Sequence, residues 1–69
     1  MTEKDQIKNM KEDETIYVNM CEDGGAQIHM HNYEYILYEI PIYGGTPRFS
    51  GIYGFKKIDE MINEYKSWT

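Results

Sequence analysis

The sequence has a single cysteine, Cys21, and no long hydrophobic run. One cysteine excludes an intrachain disulfide, and a small domain without disulfides is typical of the cytosol. No apolar segment approaches the roughly 20 residues that span a bilayer. The charged segment before Glu14 also lacks the apolar region of a secretory signal. These absences predict a cytoplasmic protein that does not contact a membrane.

Basic residues are missing from most of the chain. The formal net charge is −5, and no lysine or arginine occurs between Lys11 and Arg48. Nucleic-acid binders need cations that displace phosphate counterions, so direct binding of nucleic acid is not expected of this segment. A single domain of 69 residues also has little volume for both a core and a deep substrate cleft. Charge and size therefore favour a non-enzymatic protein that binds another protein through its surface.

Alternating apolar and polar residues predict β-strands. In the first strand, for example, Ile16, Val18 and Met20 share one side. Gly51 within the last strand predicts either a β-bulge or a close approach of another backbone segment. The predicted strands are residues 14–20, 26–31, 33–43 and Arg48–Gly54, with turns at residues 22–25, 32 and 44–45.

After the strands, apolar residues recur with a helical period, which predicts a helix over residues 56–67. Near the N-terminus, Thr2 and Asp5 have the spacing of a capping box, so residues 1–13 form either a short helix or a flexible arm. Residues 14–69 are predicted to form a single α+β domain. Its small antiparallel sheet is a meander of three to four strands, and the C-terminal helix packs on one face. The apolar residues of that helix are Ile58, Met61, Ile62 and Tyr65.

The third strand has apolar residues on both sides, so its orientation decides which of them contact solvent. The pattern places Ile36 and Tyr38 against the helix and turns Tyr33 and Tyr35 outward. Exposed tyrosines are common in protein interfaces, because each combines a large area with a hydroxyl group. We therefore predict that this outer face, together with Tyr17, binds a partner.

Acidic residues accompany these tyrosines. We predict that carboxylates meet a basic, nucleic-acid-binding surface of a protein partner, while tyrosines supply the apolar anchors. Small acidic inhibitors carried by phages and mobile elements, such as anti-CRISPR and anti-restriction proteins, are similar in size and charge, although no motif is shared. This similarity implies an inhibitor. The predicted partner-binding residues are Tyr17, Glu22, Asp23, Tyr33, Glu34, Tyr35 and Glu39.

Two histidines, His29 and His31, lie on one side of the second strand, and Cys21 has the matching position on the first. A register that pairs Cys21 with His29 would give three ligands, the number found in many catalytic zinc sites. A three-residue turn would instead move Cys21 beyond the ladder. Histidines on a solvent-exposed strand face are the commoner occurrence of this pattern, so no metal and no other cofactor is predicted.

No catalytic site can be assembled from the sequence. Glu34 and Glu39 lie on opposite sides of the third strand, so they do not make an acid–base pair. The acidic neighbours of Cys21 disfavour the thiolate that a nucleophile requires. Two alternatives to partner binding stay open: a homodimer that buries the tyrosine face, and an RNA-binding module. The RNA-binding residues would be Arg48, Lys56, Lys57 and Lys66. The layout of helix, strands and helix, with Lys56 and Lys57 at the start of the last helix, resembles a double-stranded RNA-binding domain.

Overall fold

The computed structural model describes residues 2–21, 24–41 and 45–68. Neighbouring strands are antiparallel, and the sheet order is β1-β2-β3-β4. The predicted α+β meander with a C-terminal helix is confirmed. The elements in chain order are α1 (Glu3–Lys8), β1 (Thr15–Cys21), β2 (Gly24–His31), β3 (Glu34–Ile40), β4 (Arg48–Gly54), a 3-10 turn (Phe55–Lys57) and α2 (Ile58–Lys66).

The N-terminal segment contains the short helix rather than an extended arm. The Thr2 hydroxyl accepts a hydrogen bond from the Asp5 backbone N–H at 3.1 Å, and the Asp5 carboxylate accepts one from the Thr2 N–H at 3.5 Å, which completes a capping box. A helix this short is unstable in isolation. It is held by the fully buried Ile7 and by an ion pair of 2.9 Å between Lys4 and Asp59 of α2.

Both helices pack on the same face of the sheet, and together they close the hydrophobic core. Within the described part of the chain no helix lies on the opposite face, which we call the open face. Neither described helix is long and apolar enough to cross a membrane. The buried core side chains are Ile7, Met10, Ile16, Val18, Ala26, Ile28, Met30, Tyr35, Leu37, Ile58, Met61 and Tyr65.

The third strand has the opposite orientation from the predicted one. Tyr35 is fully buried, whereas Ile36 and Tyr38 are half-buried on the open face. The turn at residues 32–33 has two residues, which aligns β2 and β3 so that Met30 lies opposite Tyr35. Directly opposite residues share a face of the sheet, so Tyr35 joins Met30 in the core. The turn length sets this register, and the apolar content of the strand does not.

A β-bulge changes the orientation of side chains at the end of β1. The register shifts between Val18 and Cys21, and Asn19 has a left-handed backbone with φ of 55°. The Asn19 side-chain amide donates a hydrogen bond of 3.2 Å to the carbonyl of Tyr65 in α2. Met20, which the alternation predicted to face the helix, is consequently exposed.

The bulge predicted at Gly51 in β4 is confirmed. Leu37 pairs with Gly51, whereas the next residue of β3, Tyr38, pairs with Phe49. One residue of β4 therefore has no partner in β3. This shift places Phe49 on the open face beside Tyr38.

Candidate docking surface

The open face consists of three rows of side chains that run across the strands. Each row is fixed by the register, since directly opposite residues of antiparallel strands share a face. The first is the aromatic row, the second contains a pair of isoleucines, and the third consists of a histidine and a glutamate. In order, the rows are Tyr17, Gln27, Tyr38 and Phe49; then Thr15, His29, Ile36 and Ile52; then His31 and Glu34.

The first two rows expose a large apolar surface. Tyr17 is 60% exposed, Phe49 is 61% exposed and Ile52 is 55% exposed. The rings of Tyr38 and Phe49 meet edge to face, with centroids 6.2 Å apart, a favourable arrangement for aromatic pairs. Contiguous exposed apolar side chains, as opposed to scattered single ones, mark interaction surfaces.

Carboxylates surround His31 at one corner of the open face. Asp13 Oδ1 lies 3.3 Å from His31 Nδ1, and Glu12 Oε2 lies 3.5 Å from the same nitrogen. Glu34 is the cross-strand neighbour of His31. Both oxygens of Glu12 also accept the backbone N–H of Asn32 at 3.1 Å, which holds this carboxylate in place. We call Glu12, Asp13 and Glu34 the acidic corner.

His29 lies beside this corner and contacts two neighbours. Its Nδ1 is 2.7 Å from the Thr15 hydroxyl oxygen, and its Nε2 is 3.6 Å from Asp13 Oδ1. The rings of His29 and His31 are stacked, with centroids 6.4 Å apart. Asp13, His29 and His31 therefore converge on a small volume at the surface.

The turn between β2 and β3 displays a strained aromatic residue. Asn32 and Tyr33 have φ values of 56° and 63°, as a two-residue type I′ turn requires. Asparagine tolerates this left-handed region, but other residues with a Cβ pay roughly 1–2 kcal/mol there. Tyr33 precedes Glu34 in the sequence. Its side chain is 87% exposed, so the ring lies in solvent.

Three of the predicted partner-binding residues lie at this surface. Tyr17 and Glu34 belong to the open face, and Tyr33 lies in the adjoining turn. The sequence interpretation missed Phe49 and Ile52, because it did not foresee that these side chains of β4 share the open face with Tyr38 and Ile36 of β3. The bulge signal of glycine in β4 and the two-residue turn would together have located them.

The other predicted residues are not at this surface. Tyr35 is in the core, so its predicted exposure is wrong. Glu39 is half-buried on the helix side of β3, opposite Arg48 of β4, because it follows the alternation of Tyr35. Glu22 and Asp23 lie outside the described residues.

The histidines do not have Cys21 as a neighbour. Cys21 pairs with Gly24 at one end of the β1–β2 ladder, whereas His29 pairs with Thr15 at the other end. The register that would bring Cys21 opposite His29 is therefore not the one that the sheet adopts. Asp13, which precedes β1, takes the third position instead.

No protein-family model, curated protein or solved structure shows a significant match to this chain. The functional conclusion therefore depends on the geometry of the open face and the acidic corner.

Proposed function

We propose that this protein is a small protein-binding module, which docks its open face and acidic corner on a basic, nucleic-acid-binding surface of a partner and masks it. The observation that carries the proposal is the exposure of Tyr17, Phe49 and Ile52 on one face of the sheet, with Tyr17 and Phe49 at the two ends of the aromatic row. Aromatic and aliphatic side chains of this kind supply the buried anchors of protein interfaces.

The negative charge of the protein supports a partner with a basic surface. The acidic corner adjoins the apolar rows, and the whole chain has a net charge of −5. Complementary potentials speed encounter and select among partners. Lysine and arginine side chains that otherwise contact phosphates would contact the acidic corner, while neighbouring apolar groups cover the aromatic row. The partner could not hold nucleic acid on the same surface, which is how an inhibitor carried by a phage or mobile element would act.

The basic residues support direct RNA binding less well. Arg48 begins β4, whereas Lys56 and Lys57 follow the end of that strand. The length of the strand separates these two groups by roughly 20 Å. Lys57 also lies 3.4 Å from the Glu60 carboxylate. These cations do not form the continuous basic patch that nucleic-acid recognition requires.

Capture with matched variants tests the proposal. The immobilised chain is incubated with bacterial extract at low salt, and bound proteins are eluted with heparin and identified by mass spectrometry. Phe49→Ser and Glu34→Lys should each weaken binding of the captured protein by about tenfold or more, because anchor residues commonly contribute more than ~1.4 kcal/mol. Glu64→Lys, at an exposed position of α2, changes the charge equally and should bind as the wild type does.

Masking is measured with the purified partner and its labelled nucleic acid. The wild-type chain should displace the nucleic acid, and Phe49→Ser should need about tenfold more protein for the same effect. Binding that survives both open-face substitutions would locate the interface elsewhere. A dimer that dissociates on dilution in light scattering, together with no captured protein, would favour self-association through this face.

A further inference from the structure

We propose that Asp13, His29 and His31 form a binding site for a transition-metal ion such as Zn²⁺. One potential ligand atom from each residue lies within 4.8 Å of the others. Imidazole nitrogen and carboxylate oxygen are both ligands that Zn²⁺ takes, and three protein ligands leave the fourth position to water. The inference concerns the ion alone and does not depend on the proposed partner.

Two of the three distances between the ligand atoms are close to those of a tetrahedral ion, and the third, between the two imidazole nitrogens, is within 4.8 Å. Zinc bonds of about 2.0–2.1 Å place neighbouring ligands of a tetrahedron about 3.3–3.4 Å apart. Asp13 Oδ1 lies 3.3 Å from His31 Nδ1 and 3.6 Å from His29 Nε2. Small side-chain rotations would therefore complete the geometry. All three side chains reach solvent, so an ion can enter directly.

The Thr15 hydroxyl holds His29 in the orientation that a ligand needs. A metal-binding histidine commonly uses its second ring nitrogen for a hydrogen bond that fixes the ring and its tautomer. His29 Nδ1 lies 2.7 Å from Thr15 Oγ1. In the tautomer in which Nδ1 donates to this hydroxyl oxygen, Nε2 presents its lone pair toward Asp13. The sheet register builds this contact, since Thr15 and His29 are cross-strand partners.

Backbone hydrogen bonds hold Asp13 beside the histidines. The Asp13 N–H donates to the Met30 carbonyl at 2.8 Å, and the Met30 N–H donates to the Glu14 carbonyl at 2.9 Å. These bonds continue the β1–β2 pairing beyond the start of β1. Asp13 has φ of 64°, a region in which aspartate is enriched. The carboxylate is therefore placed by the ladder next to the strand that carries both histidines.

Isothermal titration of the untagged chain with Zn²⁺ tests the site. We expect a one-to-one complex that excess Mg²⁺ does not displace, because Mg²⁺ prefers oxygen ligands. Asp13→Asn and His31→Gln should each weaken Zn²⁺ binding by at least about tenfold, and Thr15→Val should weaken it by about tenfold through loss of the bond that orients His29. Circular dichroism of each variant checks that the fold is retained.

Cys21→Ser is the control that separates this site from a thiolate site. It should bind Zn²⁺ as the wild type does, and the Co²⁺ complex should lack a sulfur-to-metal charge-transfer band. Loss of binding in Cys21→Ser, or the appearance of that band, would overturn the proposal. So would the absence of binding, or equal binding by wild type and Asp13→Asn, because Asp13 would then not be a ligand of the ion.

Discussion

The hydroxyl group of Tyr35 donates a hydrogen bond of 2.9 Å to the backbone carbonyl of Ile7. Both residues are fully buried, and Ile7 lies near the C-terminal end of α1, where helix carbonyls lack their usual intrahelical partners. Buried phenol groups usually find a partner of this kind. The bond therefore joins the short first helix to the central strand of the sheet.

Removal of this bond should destabilise the fold measurably. In Tyr35→Phe the ring still fills the core, but the hydrogen bond to Ile7 is lost. We expect a decrease of about 1 kcal/mol in the free energy of unfolding. For a domain of this size the melting temperature should fall by about 4–8 °C per kcal/mol, as thermal unfolding followed by circular dichroism would show.

Tyr65→Phe is the matched control for that experiment. The Tyr65 hydroxyl is buried beside the Glu3 carboxylate but forms no well-aligned hydrogen bond to any described residue, so its removal relieves a desolvation penalty. Stability should be unchanged or higher. A loss as large as that of Tyr35→Phe would show that Tyr65 has a partner in solution and that the two positions are equivalent.

Alkaline pH should unfold this protein. Burial raises the pKa of Tyr35, and burial followed by the neighbouring Glu3 carboxylate, which acts through hydrogen bonding and negative charge, raises the pKa of Tyr65. The folded state therefore holds these protons more tightly than the unfolded chain, whose tyrosines have a pKa of 10.0. Stability is fully present below that value and is lost as pH rises through the higher folded-state values. Urea midpoints at several pH values from 8 to 11 would measure the loss.

The same urea titration in Tyr65→Phe isolates one contribution. The variant lacks the most strongly shifted phenol, so its midpoint should fall less steeply above pH 10 than that of the wild type. Parallel curves for the two proteins would mean that ionisation of Tyr65 does not contribute to alkaline unfolding.

Local patterns predicted the elements, but they could not orient β3. Alternation located β1 and β2, and the helical period located α2. In β3, however, Ile36 and Tyr38 on one side are as apolar as Tyr35 and Leu37 on the other. Hydrophobicity alone therefore does not decide which face of the strand is buried in the core. A non-local quantity decides, namely the register that the two-residue turn imposes on β2 and β3.

The acidic corner shows a second limit of sequence reasoning. Asp13 precedes the first strand and has no place in its alternation, yet its N–H pairs with the Met30 carbonyl and brings it beside His31. Likewise, the bulge at Asn19 depends on a contact with Tyr65, distant in the sequence. Such tertiary contacts have no periodic signature, so the sequence offered Cys21, and not Asp13, as the third side chain that could accompany the two histidines.

Two glycines should respond oppositely to alanine. Gly24 has φ of 116°, and a Cβ there would collide with the backbone carbonyl oxygen of Ile40. Gly24→Ala should lower the free energy of unfolding by at least about 2 kcal/mol. Gly54 has φ of −78°, and apart from its chain neighbours no described residue lies within 4 Å of the position that a Cβ would take there. Gly54→Ala should therefore stabilise by about 0.4–1 kcal/mol through the unfolded state. Chemical denaturation of both variants compares them directly, and a stable Gly24→Ala protein would contradict the backbone geometry at Gly24.

Tyr33 should be a position where stability and binding conflict. Its left-handed backbone favours glycine in a type I′ turn after asparagine, so Tyr33→Gly should stabilise the fold by about 1 kcal/mol. Differential scanning calorimetry should record a melting temperature about 4–8 °C higher. Tyr33→Ala retains a Cβ and should gain nothing, which separates backbone strain from loss of the ring.

Strained residues concentrate at functional sites, and both variants should lose affinity for the captured partner. Full affinity in Tyr33→Gly would remove this tyrosine from the docking surface and leave its strain without a function.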